Sequence, residues 1–166
     1  MKGIDFILLV IGAVAGAFLR YKIVSSPIIL GVLPVNVLIV NVIGSFILGV
    51  FSIISVFWNL DTKYSILVAV GFCGSLTTMS SFALETSNLF DNRLFYTAAI
   101  NIMANVGLSL GFLIGGRALT SIIVLRGVWD RYDQSEDVVS YDKDKEKWSI
   151  SWQTITQGID RIFDGS

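Results

Sequence analysis

The sequence has no histidine, one cysteine, two prolines and few charges, with only 15% of its 166 residues being Asp, Glu, Lys or Arg. Each shortage excludes something. Without histidine there is no imidazole acid–base catalysis and no His-ligated zinc. Cys73 alone can form neither an internal disulfide nor a thiolate metal site. A formal net charge of −1 supplies no basic field for phosphates, so no nucleic-acid partner is expected. A soluble domain would carry about 25% charged residues. A soluble enzyme, a nucleic-acid binder and a disulfide scaffold are therefore all set aside.

Apolar residues are abundant. They make up 54% of the chain, and the mean hydropathy is +0.72. The charges are unevenly placed, with nine between Met1 and Gly116 and sixteen between Arg117 and Ser166. The expected organisation is a membrane domain over 1–118 and a polar C-terminal extension over 119–166. The first apolar run lacks a small-residue cleavage site, so it reads as a membrane helix and not as a signal peptide. About 20 apolar residues cross a bilayer as a helix. Four such spans are predicted, at about Ile4–Val24, Pro34–Trp58, Tyr64–Phe90 and Leu94–Gly116. Ser121–Leu125 either extends the fourth or lies along the interface. The fold class is thus an all-α, multi-pass protein of the cell membrane. Its short connections make consecutive helices antiparallel neighbours and put both termini on one side.

Loop charges do not orient the chain. Lys2, Lys63, Arg117 and Arg126 fall on one side, and Arg20, Lys22 and Arg93 on the other. Positive residues normally collect on the cytoplasmic side. Two readings fit this balance: a rule that is weak for a small protein, or a chain that inserts both ways and pairs antiparallel.

Polar groups inside a span must face protein, water or a transported species. Asn36, Asn41 and Ser45 lie in span two, and the last two share a face. Asn101, Asn105 and Ser109 form a stripe in span four. Gly107, Gly111 and Gly115 lie about 200° around from it, a small face suited to close helix packing. Gly12 and Gly16 offer the same spacing in span one. In span three, residues 71–82 read GFCGSLTTMSSF, with two glycines and five hydroxyl residues in twelve positions. A break is predicted near Gly74–Thr78, at mid-membrane depth. It would free carbonyls that lipid cannot satisfy. Either neighbouring hydroxyls or a hard monovalent cation would then serve them. Glu85 is the one acidic residue well inside a span, with Arg20 or Lys22 as its candidate partner.

Three segments together resemble the CrcB/Fluc family of fluoride channels. They are Gly12 to Tyr21 (GAVAGAFLRY), Val40 to Phe46 (VNVIGSF) and Gly71 to Phe82. The resemblance covers residues 3–118. It implies a passive, fluoride-exporting channel that protects against fluoride toxicity and catalyses no reaction. It also implies an antiparallel, dual-topology homodimer with a central sodium ion. By position, Asn41 matches the pore asparagine and Phe82 the second of two pore phenylalanines. Gly74 and Thr77 match the residues whose backbone carbonyls hold sodium. Glu85 matches the family carboxylate, and Arg20 ends the family's first helix. Met79 stands where the first pore phenylalanine is usual, Ser81 replaces a threonine, and Ser75 replaces a glycine. Asn36-Val37 replaces a common Gly-Thr, and Asn105 replaces a frequent serine.

Fluoride is small and strongly hydrated, so a pore must replace its water with donors. Asn41 offers two N–H groups, and Ser80, Ser81 and Ser109 offer a hydroxyl each. Asn101 and Asn105 complete the candidate donor set. The ring edge of Phe82 is positive and can face an anion. Two other readings are a small multidrug-type dual-topology transporter and a non-conducting scaffold subunit. The transporter would place a glutamate in span one, which has none. In the extension, Trp148, Trp152, Ile155, Ile159 and Ile162 follow helical spacing, so an amphipathic helix is predicted over about 148–163. Trp148 to Trp152 also alternates as a short strand would. No partner for this tail is assigned.

Overall fold

The computed structural model describes residues 3–25, 29–30, 33–133, 139–142 and 147–150. Four helical segments are long and apolar enough to cross a membrane: Gly3–Val24, Asn36–Phe57, Thr62–Asp91 and Phe95–Gly127. Helix α1 (Gly3–Val24) has apolar residues almost all round and buries only Gly12 and Gly16. These two glycines share a face and let α1 touch the backbone of the third segment. A Cβ at Gly12 would fall on the Leu67 carbonyl oxygen, and one at Gly16 on that of Phe72. The small spacing read in span one is therefore a packing device.

Strands β1 (Ile29–Leu30) and β2 (Leu33–Pro34) form a minimal antiparallel pair. Span two was expected to begin at about Pro34, but Pro34 ends β2 and pairs with Ile29. Proline lacks the N–H that a central ladder needs, and an edge position tolerates that. Pro27 lies outside the described residues. Helix α2 (Asn36–Phe57) follows. Asn36 is buried and donates its amide to the Ile23 carbonyl at 2.6 Å, so it ties the end of α1 to the start of α2.

The third segment is composite. Helix α3 (Thr62–Ser65) is capped by the Asp61 carboxylate, which accepts from the Lys63 N–H. A π-helical stretch (Ile66–Cys73) follows, then α4 (Gly74–Leu76). Thr77 and Thr78 are extended, and α5 (Met79–Asp91) starts anew. The π-helical stretch was not anticipated from sequence.

The turns before α3 and after α5 share one device. Leu60 N–H reaches the Ser55 carbonyl across Asn59 at φ 46°, and Leu94 N–H reaches the Leu89 carbonyl across Arg93 at φ 59°. Each is a helix C-terminal motif closed by one left-handed residue.

Helix α6 (Phe95–Asp133) has 39 residues, about 58 Å at 1.5 Å per residue. It passes through Gly116, where span four was expected to end, and through Ser121–Leu125 without interruption. Thr120 and Ser121 donate their hydroxyls to the Gly116 and Arg117 carbonyls, so both polar side chains are satisfied within the helix. The expected close packing of Gly107, Gly111 and Gly115 is absent within the described residues, since no atom beyond the adjoining turns of their own helix lies within 4 Å of a Cβ at any of them. The tight contact is at Gly116, where a Cβ would meet the Phe46 carbonyl oxygen at 2.7 Å. Gly49 sits against the Leu113 backbone in the same way. The α2–α6 register thus uses Gly49 and Gly116 and leaves the other glycine face open.

The chain forms two compact units, Met1–Ser121 and Ile122–Ser166. The first buries few side chains completely, among them Val37, Val40, Leu76 and Ala98. Phe6, Val14, Phe18, Val70 and Val106 stay exposed, as suits an apolar solvent. The second unit holds the end of α6 and an antiparallel hairpin of β3 (Val139–Asp142) and β4 (Lys147–Ile150). Trp148 pairs with Tyr141 there. Residues 148–150 of the predicted amphipathic helix are thus in a strand, and the rest of it lies outside the described residues.

Candidate functional site at an interrupted helix

The site starts from two backbone residues. Thr77 has ψ 151° and Thr78 has φ −147° and ψ 115°, so neither can continue a helix. The Thr78 N–H donates to Asn41 Oδ1 at 2.8 Å instead of to the Gly74 carbonyl four residues back. Asn41 Nδ2 lies 3.4 Å from the Thr78 carbonyl, so one side-chain amide meets both backbone groups of Thr78. The Ser81 N–H donates to Thr78 Oγ1 at 3.2 Å instead of to the Thr77 carbonyl. The carbonyls of Gly74 and Thr77 have thereby lost their helical donors. Thr78 Oγ1 donates to Ser81 Oγ at 3.1 Å and lies 3.2 Å from Ser80 Oγ. Sequence reasoning placed Thr78 in the break but missed its role as the hub.

A chain of amides runs away from this point. Asn41 Nδ2 donates to Asn105 Oδ1 at 3.1 Å. Asn105 Nδ2 donates to Asn101 Oδ1 at 3.0 Å and to its carbonyl at 3.1 Å. Asn101 Nδ2 donates to Thr86 Oγ1 at 3.0 Å, and Thr86 donates to the Phe82 carbonyl at 2.8 Å. Thr86 was not singled out from sequence. Its signal was there, because Phe82, Thr86 and Leu89 fall on one helical face and all three are buried.

A cavity of about 370 Å³ opens beside the interruption. Asn41, Gly74, Thr77, Met79, Phe82, Asn105 and Ser109 all line it, together with Ser45, Cys73 and Thr78. No charged side chain is among its lining residues. Seven of the candidate site residues, from three spans, therefore meet at one place. The N-terminus of α5 also borders the cavity, through Thr78 and Met79, and a helix N-terminus favours negative charge. Ser109 Oγ is buried without a hydrogen-bond partner among the described residues. Phe82 is buried, whereas Met79 is 73% exposed in the subunit.

The remaining candidates stand apart. Asn101 sits behind Asn105, and Ser80 and Ser81 gather at the Thr78 hydroxyl outside the lining. Neither Glu85 nor Arg20 lines the cavity. Glu85 Oε2 is buried and unpartnered, and the ion pair found among the described residues is Lys63–Asp61 at 3.3 Å. Glu85 thus takes neither Arg20 nor Lys22 as an ion-pair partner.

Comparison with known proteins places this geometry. Residues 7–117 match the family described as CrcB-like protein, Camphor Resistance (CrcB). A protein of Nitrosopumilus maritimus named fluoride-specific ion channel FluC is 62% identical over 124 residues, covering 75% of this chain and 98% of that protein. A protein of the same name from Methanocaldococcus jannaschii is 41% identical over 120 residues, covering 72% and 96%. One from Methanococcus vannielii is 37% identical over 118 residues, covering 70% and 96%. The matched segment contains every residue of the cavity and most of each of the four apolar helices, and on that ground the chain belongs to the CrcB-like family and is a multi-pass membrane protein.

Proposed function

We propose that this protein is a passive, fluoride-selective ion channel that exports fluoride from the cell. The observation that carries the reading is the charge-free cavity beside the interrupted helix, with the buried, unspent hydroxyl of Ser109 in its wall. Hydrated fluoride gives up water only to compensating donors. Asn41, Ser109 and the α5 N-terminus supply them without a fixed cation that would trap the ion. The Phe82 ring edge adds a weakly positive wall. Ions leave such a path quickly because no single site binds strongly. The name of the Nitrosopumilus maritimus relative supports the same assignment.

The interruption lies at mid-membrane in this reading. The carbonyls of Gly74 and Thr77, relieved of helical donors, fit a sodium ion, a hard cation that takes oxygen ligands. When bound, sodium would lower the electrostatic cost of an anion nearby. Two copies pair antiparallel, which agrees with the near-equal split of loop charges, four against three, and with the open Gly107–Gly111–Gly115 face.

Full-length protein reconstituted in liposomes loaded with fluoride and chloride tests this. Fluoride should leave rapidly and chloride should stay, as followed by ion-selective electrodes. Fluoride release no faster than from empty vesicles would sink the reading. Release of a cationic dye driven by a proton gradient would favour the multidrug-type alternative, and neither activity would favour a scaffold. A second expectation concerns the extension. Because 124 residues of this chain span nearly the whole relative, deleting residues after Asp133 should leave the flux within about twofold of the full chain. A larger loss in that assay would assign the extension a part in conduction.

A further inference from the structure

We propose that Thr86, which does not line the cavity, is the positioning residue that orients the Asn41 donor, acting through Asn101 and Asn105. The proposal rests on the channel reading above.

The argument is one of proton direction. A side-chain amide has a donor end and an acceptor end, and each of Asn41, Asn105 and Asn101 could in principle be turned either way. The two ends of their chain cannot be. At one end, the Thr78 backbone N–H can only donate, so Asn41 must present Oδ1 to it. At the other end, Thr86 has a single hydroxyl proton, and it is spent on the Phe82 carbonyl at 2.8 Å. The Thr86 oxygen can then only accept, so Asn101 must present Nδ2. That turns Asn101 Oδ1 toward Asn105, which answers with Nδ2 and turns its own Oδ1 toward Asn41. All three amides point in one sense, and both ends demand that same sense.

The consequence reaches the cavity at Asn41. One of its two N–H groups is held by Asn105 Oδ1 at 3.1 Å. The other is loosely held, because the Thr78 carbonyl is 3.4 Å away, at the long limit for a hydrogen bond. That N–H is the one an anion can draw off without breaking the chain. Thr78, Thr86, Asn101 and Asn105 are all at most 7% exposed, so water does not compete for their bonds. If Thr86 could not accept, the Asn101 Nδ2 would lose its partner and the chain would be set from the Thr78 end and the Asn101 carbonyl alone. Asn101 could then swing away from Asn105 and loosen the Asn105 Oδ1 that holds the Asn41 N–H.

Thr86→Val keeps the shape and removes the hydroxyl, and Thr86→Ser keeps the hydroxyl and removes a methyl group. In the liposome assay Thr86→Val should lower fluoride flux about tenfold, and Thr86→Ser should stay within about threefold of wild type. Elution and helical circular dichroism report whether each variant is folded, and the Ser variant keeps the test open if the Val variant is not. Asn101→Leu cuts the same chain one step further on. It should lower flux as much as Thr86→Val, and the double variant should be no worse than either single one. An active wild type with an unchanged Thr86→Val, with no rescue by serine, or with losses that multiply in the double variant, would overturn the relay. An inactive wild type would instead overturn the channel reading.

Discussion

Replacing Asn41 by aspartate should abolish fluoride flux. In the native site Asn41 Oδ1 accepts from the Thr78 N–H, and this contact survives the change. The Nδ2 position does not survive. It becomes an oxygen facing Asn105 Oδ1 at 3.1 Å and the Thr78 carbonyl at 3.4 Å, so acceptors confront acceptors. A carboxylate also puts a negative charge into a cavity lined by no charged residue. Two like charges about 4 Å apart repel by about 4 kcal/mol at an effective dielectric of about 20. At about 1.4 kcal/mol per factor of ten, this is a loss of roughly a thousandfold, enough to reach the leak of empty vesicles. Asn41→Ser, with one donor and no charge, should keep part of the flux. Wild-type flux through the aspartate variant, measured on protein that elutes normally, would remove Asn41 from the path.

The second large effect is on folding. Gly16→Ala places a Cβ on the Phe72 carbonyl oxygen, and Gly12→Ala places one on that of Leu67. Both obstacles are backbone, so no rotamer change relieves them. Helix α1 must retreat from the π-helical stretch Ile66–Cys73, and the packed face is lost along its length. Overpacking of this kind costs about 3 kcal/mol. The expected result is a lower thermal midpoint in detergent and a large aggregated fraction for either variant. Gly3→Ala, with nothing within 4 Å of its Cβ, should behave as wild type. An unchanged midpoint for Gly16→Ala would mean that α1 does not pack as closely as described.

The two effects differ in how far the sequence exposed their cause. The Gly12 and Gly16 spacing was legible, because small residues four apart in an apolar helix mark close approach. The same rule, applied to Gly107, Gly111 and Gly115, pointed to packing that is absent among the described residues. Spacing says that a face is small, and only the partner's position says that it is covered. The asparagine stripe behaved similarly. Its period placed Asn101, Asn105 and Ser109 on one face, but it did not separate their roles. Asn105 and Ser109 line the cavity, and Asn101 bonds back to Thr86. Thr86 itself was missed because a threonine between Phe82 and Leu89 looks like ordinary core. In the extension, alternation and helical period overlapped at Trp148. Strand pairing with Tyr141 settled residues 148–150.

The sequence by itself determined the solvent, the number of apolar helices and the residue types available to an ion. These depend on composition and on runs of about 20 residues, which are local properties. It also carried the family, through three motifs in order. The tertiary structure decided which donors are spent and which are free. Asn41 and Ser109 offer similar groups on paper. One is bonded to Thr78 and Asn105, and the other is buried without a partner among the described residues. Hydrogen-bond satisfaction depends on groups that lie 37 and 64 residues apart in the chain, as for Asn41 with Thr78 and with Asn105. No local pattern encodes that pairing. The few charges noted at the outset leave an ion path only neutral donors to work with, and the fold determines where those donors point.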